Sequence, residues 1–281
     1  MGTLYVVPTP IGNLEDITLR ALRVLREVAL VAAEDTRTTR VLLDHYGVAA
    51  RLISYHEHNK LARLDAIFDA LATGDVALVS DAGTPGVSDP GYELVVEAIR
   101  RGIRVEPLPG ANAILTALVG SGLPADSFVY LGFLPRKPKA LRDLLSRLTA
   151  ERRTLVAYES PHRLIETLAA IQAVLGDRPA CVARELTKLY EEFQRGPVSA
   201  LLAHYRAQPP RGEITLVIGG APDMPDVPWD EAQVRAALAA RLQAGEPLSQ
   251  AARALAAEAG WDRRAVYALG AGRENDPGNP N

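Results

Sequence analysis

Gly74-Asp-Val-Ala-Leu-Val-Ser-Asp-Ala-Gly-Thr-Pro-Gly-Val-Ser-Asp-Pro-Gly91 decides the fold: a short apolar strand runs straight into a loop made almost entirely of turn residues. Val76 to Val79 form the kind of run that sits inside a parallel sheet, and α/β proteins bind ligands in the crevice beyond the carboxyl ends of such strands. Between Asp81 and Gly91 stand three glycines, two prolines and two aspartates, a combination that fixes an uncommon backbone shape and lets a ligand approach closely.

Working outward, strand-like and helical runs alternate over the first 220 residues, so an α/β class is predicted. The predicted strands are Leu4 to Val7, Ala29 to Ala33, Leu52 to Ser54, Val76 to Val79 and Ile103 to Glu106. A second set follows at Phe128 to Leu131, Thr154 to Tyr158, Ala180 to Arg184, Glu191 to Gln194 and Ile214 to Ile218. Asn59 to Ala72 reads as a helix with Leu61, Leu64, Ile67, Phe68 and Leu71 on one face, Asn59 as its cap and Gly74 as its stop. A break near Gly120 to Asp126 divides an N-terminal α/β domain, 1–120, from a second, 121–220. After Gly219 the composition turns to a proline-rich linker and alanine-rich helices, giving a small helical domain, 221–281, whose last residues from Glu274 read as disordered. In that domain Leu248-Ser249 opens a helix, Gly260 stops it and Asp262 caps the next. The pair is either a nucleic-acid-binding helix-turn-helix or a docking hairpin.

The chain of 281 residues, 48% hydrophobic and 23% charged, has the composition of a globular protein without a membrane span. Its start, Met1-Gly-Thr-Leu-Tyr-Val-Val-Pro8, lacks the marks of a secretory signal, and Val6 breaks a myristoylation pattern. The single cysteine, Cys181, lies in an apolar run and reads as a buried strand thiol, so a cytoplasmic setting is expected. A net charge of -3 gives no general case for nucleic acid, but the stretch from Arg136 to Arg153 carries seven basic residues against two acidic ones. Arg136, Lys137 and Arg142 in it are candidate phosphate contacts. The plain alternative is a solvated helix face, because Leu141, Leu144, Leu145 and Leu148 recur at helical spacing.

Several chemistries drop out. There is no P-loop sequence, and Gly120-Ser-Gly-Leu-Pro-Ala125 follows a helix rather than a strand, against a dinucleotide fingerprint. His56-Glu57-His58 lacks companions for a metal site, and Ser160-Pro161-His162 lacks a nucleophile elbow. What remains is five loops at successive strand ends: Pro8 to Asn13, Glu34 to Thr39, Tyr55 to Asn59, Ser80 to Gly91 and Pro107 to Asn112. All five are expected to converge on one cleft and hold a sizeable cofactor by backbone groups. Arg37 in the second loop is either a phosphate or ribose contact or part of a helix start capped by Asp35 or Thr36.

Val7-Pro-Thr-Pro-Ile-Gly-Asn-Leu-Glu-Asp-Ile-Thr18, Ala33-Glu-Asp-Thr-Arg37, Leu78-Val-Ser-Asp-Ala-Gly-Thr-Pro85, Ser88-Asp-Pro-Gly91, Pro109-Gly-Ala-Asn112, Tyr158-Glu-Ser-Pro-His162 and Arg184-Glu-Leu-Thr-Lys188 resemble the motifs of the tetrapyrrole-methylase-fold family, in order and spacing from about residue 2 to 220. The resemblance implies a two-domain α/β enzyme, with a cleft for S-adenosyl-L-methionine between the domains and a helical C-terminal domain. It also implies 2'-O-methylation of a cytidine in the decoding region of 16S ribosomal RNA in the small ribosomal subunit, and a homodimer. Carried over by motif, the cofactor contacts are Pro8, Ser80, Asp81, Ala82, Gly83, Val87, Asn112 and Ala113, with Glu159, Leu186, Ile214 and Thr215 from the second domain. A ribose hydroxyl needs a proton acceptor, for which Glu159, Glu185 and Lys188 are candidates, Lys188 acting either as a phosphate anchor or as a neutral base if burial depresses its pKa. No metal is implied. A tetrapyrrole methyltransferase and a non-catalytic ribosome-binding factor are the alternatives; the first has no use for the basic stretch, the second none for the cleft loops.

Overall fold

A computed structural model of the chain describes residues 1–222 and 229–271. Residues 1–221 form one compact unit and residues 222–281 another. The linker from 223 to 228 and the end of the chain, including Glu274 to Asn281, lie outside the described residues.

The first unit holds two five-stranded sheets. The first is built from β1 (Leu4–Val6), β2 (Leu30–Ala33), β3 (Leu52–Ser54), β4 (Val76–Val79) and β5 (Val105–Pro107), all parallel in the order β3-β2-β4-β1-β5. Alternation along β4 assigns the two faces. Val76 and Leu78 pack with Ile67, Leu71 and Leu94 of α3 (Lys60–Thr73) and α4 (Tyr92–Arg100). Ala77 and Val79 pack with Val24, Leu25 and Leu43 of α1 (Leu19–Glu27) and α2 (Thr36–His45). Every β4 side chain is therefore buried, which is why the sequence there is apolar throughout. Thr18 caps α1 by accepting from the Ala21 amide, and Asp35 caps α2 by accepting from the Arg37 amide. Asn59 precedes α3 without capping it by its side chain. Its Oδ1 accepts from the His56 amide at 2.8 Å and its Nδ2 donates to Ser54, closing the preceding turn instead. The side chain of Leu61 lies outside the described ones, while Ile67, Phe68 and Leu71 turn inward.

The second sheet comprises β6 (Phe128–Phe133), β7 (Thr154–Glu159), β8 (Pro179–Arg184), β9 (Glu192–Pro197) and β10 (Ile214–Ile218), in the order β6-β7-β10-β8-β9. Only β6 and β7 pair in parallel among these neighbours; β10 enters antiparallel between β7 and β8. On one face lie α6 (Pro138–Ser146), α7 (Leu164–Leu175) and α8 (Val198–Ala207), contributing Leu145, Leu168, Ile171 and Leu201 to the core. The other face is covered by α5 (Ala113–Ser121), whose Ile114, Ala117 and Leu118 pack on Val156, Cys181 and Val217. The sequence reading closed a first domain at residue 120, yet α5, which ends there, packs on the sheet that follows it. Gly120 belongs to this helix and Gly122 ends it in a left-handed conformation, which accounts for the dinucleotide-like string.

In the second unit, α9 (Glu231–Gln243), α10 (Leu248–Ala259) and α11 (Arg263–Ala271) surround a core of Val234, Leu238, Leu255 and Val266. Asp230 and Gln233 form a reciprocal capping box on α9. Gly260, at φ +66°, stops α10, and Asp262 accepts from the Arg264 and Ala265 amides to start α11. The helical pair read from the sequence is thus two parts of a three-helix unit, since α9 contacts both. Among the described residues no helix is long and apolar enough to cross a membrane.

Candidate functional site

The loops after β1 and β4 are zipped together. Thr9 and Gly83 exchange backbone hydrogen bonds at 2.9 Å in both directions, and the Thr9 hydroxyl donates to the Ser80 carbonyl at 3.0 Å. The Ser80 hydroxyl in turn donates to the Gly83 carbonyl at 3.2 Å, so Ser80 shapes the loop from inside. Gly83 sits at φ +80°, a backbone conformation that explains its residue type, since a Cβ there would make only ordinary contact with Ile11 Cγ2 at 3.5 Å. From β5 comes Asn112, whose Oδ1 accepts from the Ile114 and Leu115 amides at the start of α5 while its Nδ2 donates to Thr84 Oγ1 at 3.4 Å. One side chain thereby ties the β4 loop to the helix that covers the second sheet.

The second sheet brings its own strand ends to the same place. Because β10 runs antiparallel between β7 and β8, its first residue, Ile214, pairs with both Glu159 and Arg184, the last residues of those strands. A cavity of about 340 Å³ lies between these groups. Its walls include Ala82, Gly83, Val87, Asn112 and Ala113 from the first sheet's loops, and Glu159, Leu186, Ile214 and Thr215 from the second sheet. Nine of the residues carried over by motif are thus brought together.

Pro8, Ser80 and Asp81 are not among the wall residues. Pro8 is buried against Gly110, where a Cβ would stand 2.7 Å from its own. Asp81 points toward the β2 loop, accepting from the Asp35 amide at 3.0 Å, while its own amide donates to Glu34. The five-loop expectation is corrected to three: only loops after β1, β4 and β5 line the cavity, because β2 and β3 lie on the far side of β4 in the strand order. Arg37 is 90% exposed and forms a short-range pair with Asp35, whose carboxyl that pairing holds down to about 2. The helix-start reading of that motif is the observed one.

The three proposed proton acceptors fare differently. The Glu159 side chain is fully buried and held by the Ser160 amide at 2.7 Å, the Thr167 hydroxyl at 2.5 Å and the Arg163 guanidinium at 3.2 Å. Lys188 Nζ lies 2.9 Å from Glu185 and 3.0 Å from Glu213. Burial works against its charge, but hydrogen bonds and attraction from these two carboxylates win and raise its pKa. The neutral-base role for Lys188 is therefore corrected: it is an ammonium. The same contact, with the Glu213 amide, lowers the Glu185 pKa. Neither Glu185 nor Lys188 lines the cavity. Their loop is nevertheless fitted closely: Glu185 and Thr187 have φ of 51° and 64°, and Gly12 lies so near that a Cβ would be 2.5 Å from Lys188 Cγ and 2.8 Å from the Leu186 carbonyl.

Wall residues that the sequence reading did not single out are Ile11, Thr84, Ser88, Asp89, Phe133 and Tyr158, with Ser160, Pro161, Gly212 and Glu213. Most stand inside motifs already quoted. Phe133 carried no such signal, since it ends a strand two residues longer than expected. Asp89, Glu34 and Asp81 form an acidic corner in which burial raises each pKa, that of Asp89 to about 7 with added repulsion from Glu34 and Asp81. Arg136, Lys137 and Arg142 are exposed outside the cavity. Lys139 pairs with Asp143 and Arg153 with Glu151 in the same stretch. Among the described residues no three His, Cys, Asp or Glu side chains group as metal ligands.

Residues 3–202 match the family of Tetrapyrrole (Corrin/Porphyrin) Methylases. A ribosomal RNA small subunit methyltransferase I of Halalkalibacterium halodurans is 53% identical over 78% of this chain and 76% of its own. The protein of the same name from Synechocystis sp. is 46% identical over 98% of this chain and 100% of its own. Among solved structures, a uroporphyrin-III-C-methyltransferase from Thermus thermophilus shares the fold with a TM-score of 0.53 at 24% identity, over 78% of this chain and 94% of that one.

Proposed function

The chain belongs to the tetrapyrrole methylase family, in the group of proteins named ribosomal RNA small subunit methyltransferase I, and from that premise we propose that it methylates the ribose 2'-hydroxyl of a cytidine in the decoding region of 16S ribosomal RNA with S-adenosyl-L-methionine. The observation that carries the reading is the cavity between the two sheets. Its volume of about 340 Å³, its apolar wall residues Ile11, Val87, Ala113, Leu186 and Ile214, and the polar residues Asn112, Ser160 and Thr215 among them suit a cofactor with a flat base, a ribose and an amino-acid tail. The cofactor supplies a methyl group on a cationic sulfur, which needs no further activation.

The work left to the protein is orientation and exclusion of water. The Thr9–Gly83 zipper and the Asn112–Thr84 contact hold the β4 loop in one shape, and the Ile214 pairings fix the opposite wall. Arg136 and Lys137 follow Phe133, a wall residue, by three and four positions. With Arg142 they are exposed cations, which supports a reading of this stretch as a contact for the RNA backbone. Action as a homodimer in the cytoplasm belongs to the same proposal.

The test is incubation of the protein with tritiated S-adenosylmethionine and either unmethylated small ribosomal subunits or a tetrapyrrole precursor. Label on a cytidine 2'-oxygen is the expected result. Label on the tetrapyrrole favours the alternative acceptor, and cofactor binding without label on either favours a non-catalytic ribosome-binding protein.

A further inference from the structure

An irregularity in β6 redirects one side chain. Tyr130 pairs with Val156 of β7 and Phe133 with Tyr158, so Leu131 and Gly132 together oppose Ala157 alone. The extra residue makes a β-bulge, and Gly132 supplies the positive φ, +67°, on which it turns. Before the bulge, alternation sends Val129 and Leu131 to the side of α6, α7 and α8, and Phe128 and Tyr130 to the side of α5. An unbroken strand would carry Phe133 into the first of these cores after Leu131. With the bulge, Leu134 takes that place, and Phe133 joins Tyr158 on the wall of the cavity.

The redirected ring is held in place and left open. The Leu134 amide donates to the Tyr158 carbonyl at 3.3 Å, and the Leu134 and Pro135 carbonyls accept from Arg163 at 3.1 and 2.8 Å. Tyr158 backs the Phe133 ring at 5.3 Å between centroids, Tyr130 meets Tyr158 edge-on at 5.5 Å, and the Tyr130 hydroxyl lies 2.7 Å from that of Ser88. Phe133 is nevertheless 64% exposed, and among the described wall residues it is the one large apolar side chain left so. A lone exposed apolar side chain is ordinary on a protein surface, but one that a bulge takes out of a core and sets on a cavity wall is not explained by packing.

We propose that Phe133 is the platform on which the acceptor nucleobase stacks, and that it thereby positions the RNA strand at the cavity. The inference rests on the RNA-methyltransferase reading above. Every base has a flat π face, and stacking on an aromatic ring is the common way in which proteins hold unpaired bases. The other apolar wall residues, Ile11, Val87, Ala113, Leu186 and Ile214, are buried or half-buried and suit the cofactor. Phe133 is left for a ligand that arrives from solvent. A base stacked there fixes its own ribose at the cavity, where orientation governs methyl transfer. Arg136 and Lys137, exposed three and four residues further on, supply cations for the phosphates of the same strand.

The experiment measures methyl transfer against the concentration of unmethylated small ribosomal subunits for the wild type, Phe133→Leu and Phe133→Tyr. Calorimetric titration of S-adenosylmethionine into each protein and a thermal melt accompany it. Phe133→Leu keeps an apolar side chain without a ring, and Phe133→Tyr keeps the ring. The Leu variant is expected to raise the half-saturating subunit concentration by roughly 10-fold or more, with the cofactor Kd unchanged within about threefold. The Tyr variant should stay close to wild type in both. Phe133→Met, also without a ring, repeats the comparison should the Leu variant melt early. Wild-type behaviour in the ringless variants would overturn the assignment, as would a cofactor affinity that falls as far as that for the subunit, which would make Phe133 a cofactor contact. Equal loss in the Leu and Tyr variants with unchanged melts would also count against stacking. A wild type that binds cofactor but labels no ribosomal subunit would sink the substrate reading and this assignment with it, a failure recognisable because no variant is needed to see it.

Discussion

Lys188 illustrates how neighbours decide a residue's chemistry. Between Glu185 and Glu213 its ammonium is stabilised, so replacing it leaves two carboxylates facing each other across a tight loop. Lys188→Met is expected to cost about 1 kcal/mol at pH 7, a figure kept small because Glu213 is exposed to screening solvent. The sign of its pH dependence follows from the shifts. Glu185 has a lowered pKa, so its contribution exists above its unfolded value and fades as pH falls; Lys188 has a raised one, so its contribution fades at high pH. Urea unfolding should therefore find the variant and wild type most different near neutrality, with the gap closing as pH falls through the lowered Glu185 value. Asp89 behaves oppositely. Its raised pKa works against the folded state as pH climbs from the ordinary aspartate range to about 7, so Asp89→Asn should melt above wild type at pH 8, keep part of that gain at pH 5 and lose it below about pH 4. In the sequence Asp81 and Asp89 look alike, two aspartates eight residues apart in one turn-rich loop. Only the fold separates them, turning Asp81 onto the Asp35 amide and leaving Asp89 at the cavity.

At the scale of elements, α5 joins the two sheets functionally, because its cap sits at the cavity and its buried face on the second sheet. Asn112→Ala is expected to destabilise the first unit by about 1 kcal/mol in urea unfolding and to weaken S-adenosylmethionine binding in calorimetry, since Thr84 loses its tether. A variant with lost stability and full affinity would confine Asn112 to capping. Gly83→Trp, by contrast, forces a large side chain onto φ +80° beside Ile11 and should abolish cofactor binding; unchanged calorimetry would refute the cavity as the cofactor's seat. The strands themselves were readable from β-branched and apolar runs, and most of their boundaries lie within two residues of the expected ones. Strand order was not readable, because it is set by long-range pairing that leaves no local mark. That is why five loops seemed to converge where three do, and why the insertion of β10 between β7 and β8, which brings Gly212 to Thr215 to the wall, went unseen. The domain boundary at 120 rested on a glycine turn after α5, a signal that marks the end of a helix but not the sheet it covers.

For the whole molecule, the helical unit has a core of its own, closed by residues between Trp229 and Leu269. Deleting residues 222–281 is expected to leave the first unit folded with near-normal cofactor affinity, while binding to small ribosomal subunits weakens. Calorimetry and subunit pull-down on the shortened chain check the two halves of that statement, and equal loss of both would make the tail a structural support. The single cysteine offers a way to follow the other unit. Cys181 lies fully buried on β8 against α5, with its thiol pushed up to about 11 by burial. A thiol reagent can reach it only when the second sheet opens, and one label per chain reports each opening. Labelling speed thus becomes a clock for how often α5 lifts from the sheet, and a cofactor that grips both walls of the cavity should slow it.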